Sequence, residues 1–221
     1  QVIFDQPLDG YMGPGNCIWS QQFYETDRSR DFVRGFTYEI TRGRGPVATA
    51  LTGMFSGRIP WGEEHHQRYR ELFNQITGMV AICEDLPEPH NTVSLDPELK
   101  DSDGIPAPKI TYKLSDNSRR MLDYAVDRGV EILEAAGATD VMTEAPIAVG
   151  GWHLMGTTRM GVDPEHSVVN EWGRSHDVRN LFVVDGSIFV TSAGVNPTRT
   201  IQALSLYIGD TMKKRLTTLF D

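Results

Sequence analysis

The stretch LFVVDGSIFVTSAGVNPTRTIQAL, residues 181–204, predicts a strand, a turn and the start of a helix in close succession. Residues 181–184 are apolar, which is typical of a buried strand. Residues 185–187 (DGS) then form the predicted turn. Pro197 suits the first position of the helix, because its missing N–H would be unpaired there in any case. The stretch therefore places an acid at the end of a strand and free amides at the start of a helix.

These features have two interpretations. Asp185 and the helix start near Asn196 would be good contacts for a cofactor that carries hydroxyl groups and develops negative charge. An ordinary capped helix after a turn accounts for the same residues equally well. The residues of this stretch alone leave both interpretations open.

A second unusual stretch is GGWHLMGTTRMG, residues 150–161. Glycines on both sides of His153 let the backbone approach another group closely, at an entropic cost that a plain loop would not need. His153 is therefore a candidate functional residue. A structural histidine is the alternative that this loop, taken alone, leaves open.

The rest of the chain predicts an α+β protein with an antiparallel sheet backed by helices. Strands are indicated near residues 17–19, 36–40 and 79–83, and half-buried strands near Val93 and Ile110. A helix is predicted after Pro60, reaching Ile76, and a longer one from a Ser115 cap to Gly137. The apolar stripe predicted for the longer helix is Leu122, Ala125, Val126, Val130 and Leu133. Residues up to about 148 predict this sheet, and the segment after them predicts a strand–loop–helix unit that would normally lie against a larger parallel sheet.

Composition excludes several classes of protein. The 221 residues are 39% hydrophobic and 23% charged, which suits a globular core, and the net charge of −9 opposes general binding to nucleic acids or anionic membranes. No apolar run approaches the ~18 residues that a membrane span needs. We expect no metal site, because Cys17 and Cys83 lack metal-like spacing and the acidic and histidine pairs of residues 63–66 indicate a solvated helix start.

One dinucleotide-binding pattern occurs by chance. Residues 43–48, GRGPVA, formally fit G-x-G-x-x-A, but that fingerprint needs a helix that opens on its glycines. Pro46 within the loop, and glycines at positions 53 and 57, predict a structural turn instead of such a helix.

Taken together, the loop GGWHLMGTTRMG, the segment LFVVDGS and the helix start SAGVNPTRTIQAL resemble the glucose–methanol–choline (GMC) family of flavoprotein oxidoreductases. Their order and their spacing of about 30 residues between His153 and Asp185 also match. Residues 83–122 are similar to the family's substrate-domain strands and following helix. The resemblance covers essentially the whole chain and identifies it as a C-terminal portion. It implies that residues 1–148 form a substrate-binding domain. It also implies that residues 149–221 carry the catalytic loop and complete a Rossmann-like FAD-binding domain whose N-terminal half is not in this sequence.

The resemblance implies oxidation of a CH–OH group to a carbonyl, with hydride passing to flavin N5. His153 fits the base, because imidazole accepts a proton at neutral pH. The family has His or Asn at the second catalytic position, which here is Asn196, and an amide cannot act as the base. Asp185 and Gly186 match the turn beside the ribityl–pyrophosphate part of FAD, whereas Asn196, Pro197 and Thr198 match the helix start that faces the flavin.

The resemblance also favours a substrate and partners. A sugar, glycoside or polyol is the favoured substrate, and a dehydrogenase is preferred over an oxidase. Four aromatic residues could stack on a sugar ring: Trp19, Phe23, Tyr24 and Trp152. FAD would need an N-terminal half or a partner subunit. The alternative is a non-catalytic carbohydrate-binding or assembly subunit with the same fold. No targeting segment is visible, but we expect the true start of the protein to be missing, so the compartment stays unknown; a soluble protein is expected, and a cytoplasmic location is preferred. Neither nucleic acid nor a membrane span is expected.

Overall fold

The protein combines antiparallel sheets with helices, which confirms the predicted α+β class. The structure, a computed structural model, describes residues 1–14, 16–147, 150–151, 153–215 and 217–218. The helices in these residues are α1 (Pro46–Phe55), α2 (His65–Leu72), α3 (Asp116–Ala135) and α4 (Thr198–Lys214). The strands are β1 (Val2–Ile3), β2 (Asn16–Ser20), β3 (Phe36–Thr41), β4 (Ile76–Cys83), β5 (Thr92–Lys100), β6 (Pro106–Thr111) and β7 (Asp140–Val141).

The chain divides into two compact units. The first contains Gln1–Cys83 and Arg120–Ala148, and the second contains Glu84–Arg119 and Val149–Asp221. These units are defined by contacts within the fold, whereas the expected domains 1–148 and 149–221 are defined by function. The functional division therefore stays a prediction.

The first unit is built on one antiparallel sheet with the strand order β2-β3-β4-β1-β7. Most of α3 packs against it, and the shared core contains Phe36, Tyr38, Met121 and Ala125, each at most 4% exposed. The Tyr38 hydroxyl donates a 2.5 Å hydrogen bond to the Ala125 carbonyl oxygen. Burial, the largest cause, raises the pKa of Tyr38, so this hydroxyl remains a donor at any physiological pH.

The ends of α3 follow the predicted chemistry. The Ser115 hydroxyl accepts a hydrogen bond from the Ser118 amide at 3.1 Å, which is the predicted N-cap. Gly137 has a φ of +95°, as expected for the residue that ends a helix. The predicted stripe is confirmed in part: Ala125 and Leu133 are buried, Leu122, Val126 and Val130 are half-buried, and Met121 is buried although it was not predicted.

The prediction that no helix opens after residues 43–45 was wrong, because α1 begins at Pro46 with Gly45 as its N-cap. Proline is well accepted in the first turn, where its missing N–H costs nothing. Gly53 lies inside α1 without ending it. A Cβ at this position would come within 2.3 Å of the Ile59 side chain, so the glycine makes room for Ile59. The preceding strand, β3, lies in an antiparallel sheet, so the dinucleotide fingerprint stays rejected.

The helix after Pro60 is shorter than predicted. It covers His65–Leu72, and Asn74 then adopts a φ of +67°, which a helix cannot contain. Ile76 begins β4 instead of ending the helix. The short apolar run around residue 76 fits either element by periodicity, and the positive φ of Asn74 shows that the chain has left the helix before Ile76.

In the second unit, the predicted strand at residues 181–184 is reduced to a single bridge between Phe182 and Arg174. A strand requires a continuous ladder with a neighbour, and in the described part of this unit the backbone hydrogen bonds of residues 181–184 reach only Gly173, Ser175 and Val178. The core of the unit contains Val169, Ile188 and Ile208, all fully buried.

The hairpin of β5 and β6 is also in the second unit. Val93 pairs with Ile110, and these side chains are 50% and 69% exposed, so the prediction of half-buried strands was wrong for this face. Separately, no helix among the described residues is long and apolar enough to cross a membrane.

Candidate active site

Asp185 begins the turn that the sequence singles out. Its Oδ1 atom accepts hydrogen bonds from the Ser187 amide at 2.8 Å and the Ser187 hydroxyl at 2.5 Å, and so it caps the 3₁₀ turn Gly186–Ile188. The hydroxyl bond, followed by the amide bond, lowers the pKa of Asp185. The residue is exposed, and within the described chain no hydrogen bond reaches its Oδ2 atom. A carboxylate that is ionised at neutral pH and has one oxygen without a bond in the described chain is a good acceptor for a ligand hydroxyl.

The segment that follows His153 lies along this turn. Backbone amides of Thr158 and Met160 donate to the carbonyl oxygens of Ser187 and Ile188, each at 2.8 Å. The hydroxyl oxygens of Thr158 and Ser187 are also 2.5 Å apart. Because the Ser187 proton is directed to Asp185, Thr158 is the donor in this contact. The result is a short chain of hydrogen bonds from the His153 segment to the Asp185 carboxylate.

Gly156 allows the two segments to approach. Its φ is +86°, and a Cβ at this position would lie 3.0 Å from the Phe189 carbonyl oxygen. Both the backbone conformation and the space therefore favour glycine. This position is three residues after His153, and its backbone amide donates a 3.2 Å hydrogen bond to the Gly186 carbonyl oxygen.

Gly186 is the point at which the His153 segment and α4 meet. A Cβ on Gly186 would lie 3.1 Å from Ile201 Cδ1 and 3.4 Å from Met155 Cγ. The Ser205 hydroxyl of α4 donates a further hydrogen bond to the Val184 carbonyl oxygen. The turn is therefore packed between the side chain two residues after His153 and the first turns of α4.

The start of α4 carries the remaining predicted residues. Asn196 is exposed, Pro197 occupies the cap position and Thr198 is the first helical residue, one position later than predicted. In the described structure no side chain caps this end, and the first turn contains no acid. The partial positive charge of the helix start is therefore open to an anionic group.

His153 lies half-buried in a turn of the same unit. Among the described residues, no hydrogen bond or ion pair occupies its ring. The neighbouring Trp152, proposed above to stack on a sugar, lies outside the described residues. The structure brings Asp185 and Gly186 against the His153 segment and α4, and the catalytic roles of His153 and Asn196 stay predictions.

Two features of this region escaped the sequence analysis. Thr158 was not identified, although hydroxyl residues occur in both glycine-rich segments and could have indicated the contact with Ser187. The hydrogen bond from the Ser192 hydroxyl to the Asp85 carbonyl oxygen, at 3.1 Å, joins residues 107 positions apart, and no local pattern indicates it.

Two of the aromatic residues proposed for sugar stacking differ in their burial. Phe23 packs in the core of the first unit, with its ring 5.2 Å from Phe36 and 5.9 Å from Tyr38 between centroids. Trp19 is 52% exposed on β2. Phe23 is therefore structural, and it does not support the proposed sugar substrate.

Comparison with known proteins agrees with the features of the second unit. The sequence model of the family described as GMC oxidoreductase matches residues 87–205. The chain is 40% identical to 2-methyl-1,2-propanediol dehydrogenase of Mycolicibacterium austroafricanum, over its whole length and 40% of the relative. It is 39% identical to the fructose dehydrogenase large subunit of Gluconobacter japonicus, over 67% of the chain and 27% of that subunit. The chain thus spans well under half the length of these relatives.

A solved structure has a similar fold. Pyridoxine 4-oxidase from Mesorbium loti aligns with a TM-score of 0.52 and 17% identity, covering 82% of this chain and 35% of the oxidase. At this identity the likeness concerns the fold alone. The family match covers more than half of the chain and includes both glycine-rich segments, and it establishes that this chain belongs to the GMC oxidoreductase family.

Proposed function

We propose that the chain supplies the catalytic loop and the C-terminal cofactor contacts of an FAD-dependent enzyme that oxidises a CH–OH group to a carbonyl. The observation that carries the proposal is the hydrogen-bonded and packed connection of the His153 segment, the Asp185 turn and the start of α4. Membership of the GMC family supports the same reaction class.

The residues present suit FAD on chemical grounds. Asp185 offers an open carboxylate oxygen for a hydroxyl of the cofactor's ribityl chain, and Gly186 keeps the adjacent backbone free of a side chain. The open start of α4, with Asn196, Pro197 and Thr198, would stabilise negative charge on the reduced ring. When bound, the flavin supplies the hydride acceptor. We propose that the other FAD contacts come from an N-terminal half or a partner subunit.

His153 has the role of general base in this proposal. A neutral imidazole nitrogen would accept the proton from the substrate hydroxyl oxygen, while the carbon that bears this hydroxyl loses its hydrogen as hydride and becomes the carbonyl carbon. The half-buried position of the ring, with no partner among the described residues, leaves its nitrogens available for the substrate.

Asn196 aims the substrate oxygen. Its amide N–H₂ donates a hydrogen bond to that oxygen. This bond strengthens as negative charge develops on the oxygen, but the amide cannot take up the proton. The two tasks therefore divide between two residues. His153 moves the proton, and Asn196 holds the oxygen.

The substrate class is a small alcohol with more than one hydroxyl group, that is, a diol, polyol or sugar. This proposal rests on the names of the two relatives, a propanediol dehydrogenase and a fructose dehydrogenase subunit. Both are also named dehydrogenases, which favours an acceptor other than oxygen.

The proposal is tested on the full-length protein that contains this chain, purified with its flavin. Anaerobic addition of diols, polyols and sugars should bleach the flavin absorbance with at least one of them, and a quinone-type dye should restore it faster than oxygen does. A protein that contains no flavin, or flavin that none of these alcohols reduces, would favour the non-catalytic subunit.

A further inference from the structure

Asp85 is the centre of a hydrogen-bond cluster in the second unit. Its Oδ2 atom accepts from the Tyr112 hydroxyl at 2.6 Å, and its Oδ1 atom accepts from the Ser118 hydroxyl at 2.5 Å. Both carboxylate oxygens are therefore occupied by neutral donors from other parts of the chain. Such charge-assisted bonds are short and strong, so they fix both the carboxylate and the backbone that carries it.

The same residue holds the loop that precedes α4. The backbone carbonyl oxygen of Asp85 accepts a 3.1 Å hydrogen bond from the Ser192 hydroxyl. Ser192 is half-buried, and Gly194, two residues later, is buried. Asn196 follows after two more residues. The loop that presents Asn196 therefore has one anchor on its N-terminal side, at Asp85, and a second at the start of α4.

Tyr112 and Ser118 make this anchor rigid. The Ser118 side chain is buried, with 2% of the residue exposed, and its hydroxyl also contacts the Ser115 hydroxyl that caps α3. Burial, and next the bond to Asp85, raise the pKa of Tyr112, so its hydroxyl stays a donor throughout the working pH range. Through Asp85, Ser192 is thus connected by hydrogen bonds to the residue after β6 and to the first turn of α3.

We propose that Asp85 and Ser192 are positioning residues that set the direction of the Asn196 side chain through the loop 192–196. This inference rests on the proposed function, because it concerns the residue that holds the substrate oxygen. A displacement of about 1 Å in a group that aligns a reacting atom costs roughly 100-fold in rate. Loss of one loop anchor should therefore reduce the rate without removing the site.

The first variant is Ser192→Ala in the full-length flavoenzyme. It removes the hydroxyl that contacts Asp85 and leaves a side chain that fits the same space. We expect kcat to fall roughly 10-fold, with flavin content unchanged and KM changed by less than about twofold, because Asn196 acts mainly in the transition state. An unchanged kcat would overturn the inference.

A double-mutant cycle separates positioning from a general structural effect. In the Asn196→Ala background, Ser192→Ala should lower kcat by less than about twofold, since the group it positions is already absent. In the His153→Ala background, the same change should keep its full effect. Equal losses in the wild-type and Asn196→Ala backgrounds would overturn the inference.

A second variant tests the anchor from its other side. Tyr112→Phe removes one hydrogen-bond donor to Asp85 and should lower kcat, as Ser192→Ala does. The control Tyr207→Phe removes an exposed hydroxyl and should leave kcat unchanged. Equal kcat values for the two variants would overturn the role of Asp85. The proposed function fails separately, if Asn196→Ala itself leaves kcat unchanged.

Discussion

The hydroxyl oxygens of Thr158 and Ser187 lie 2.5 Å apart, and this contact joins the segment after His153 to the turn that contains Asp185. It is the middle of a chain in which Thr158 donates to Ser187 and Ser187 donates to Asp185. Two stretches that are separate in sequence therefore share one polar network. A change in either stretch should be detected in the other.

The first prediction concerns the ionisation of Asp185. The Ser187 hydroxyl is the largest cause of the lowered pKa of this carboxyl. Ser187→Ala removes that hydroxyl, so the pKa should rise towards its usual value of about 4. Thr158→Val leaves the Ser187 bond in place and should produce a smaller rise. A carbon-13 NMR titration of labelled aspartate carboxyls in the full-length protein measures both changes. An Asp185 pKa that Ser187→Ala does not move would contradict the network.

The sign of the linked effect on stability follows from the same bonds. A carboxyl whose pKa is lower in the folded state contributes stability that is present above its unfolded pKa. That contribution disappears as the pH falls through the lower folded value. In Ser187→Ala the Asp185 contribution should therefore be smaller at neutral pH, and acid unfolding followed by circular dichroism should begin at a slightly higher pH. An onset of unfolding at lower pH than in the wild type would contradict this sign.

The second prediction concerns Gly156. Alanine at this position must adopt a φ of +86° and approach the Phe189 carbonyl oxygen at 3.0 Å, so Gly156→Ala should destabilise the protein by about 1–3 kcal/mol. Gly209→Ala is the matched control, because that glycine lies in α4 with nothing within 4 Å of the added Cβ. The control should stabilise by roughly 0.5–1 kcal/mol, as alanine does inside a helix. Denaturant unfolding of both variants tests the contrast, and equal midpoints would count against it.

The third prediction concerns His153. In the flavin-loaded enzyme, His153→Ala should lower kcat by roughly 10²–10⁴, the usual contribution of a positioned base, while the flavin stays bound. His66→Ala removes an exposed histidine of α2 and should leave kcat unchanged. Steady-state kinetics and the flavin absorbance of each variant supply the comparison. Turnover at the wild-type rate in His153→Ala would remove the histidine from the mechanism.

The sequence predicts those parts of the structure that local chemistry determines. Ser115 caps the start of α3 and Gly137 follows its end, as expected. Both effects are local, because a cap hydroxyl and a left-handed glycine act on the backbone within one helical turn. The boundary at Asn74 was missed, since an apolar run gives no sign of where the backbone leaves the helix. The contact between Asp85 and Ser192 joins residues 107 apart and depends on the folded arrangement of the second unit. Motifs thus single out candidate site residues, whereas the distant hydrogen-bond partners of their segments are found only from the structure.

The last prediction separates Asn196 from His153. Asn196 acts as a donor whose loss typically costs about 2.7–4 kcal/mol of transition-state stabilisation, so Asn196→Ala should depress kcat strongly. Because an amide does not titrate, the pH dependence of kcat/KM should keep its wild-type form in this variant. Asn196→His should retain part of the activity and add a second titration, since imidazole can donate to the same oxygen.

His153→Asn is the complementary variant. It places a non-titrating amide where the base is proposed, so the acidic limb of the kcat/KM profile should flatten as the rate falls. The assignment depends on which single change removes that limb, measured over the same pH range with the same alcohol. If Asn196→Ala abolished the acidic limb and His153→Asn preserved it, the proton would be taken up through the site of Asn196, and the two roles would have to be exchanged. The expected result, loss of the limb only in His153→Asn, assigns proton transfer to the histidine and alignment of the substrate oxygen to the amide.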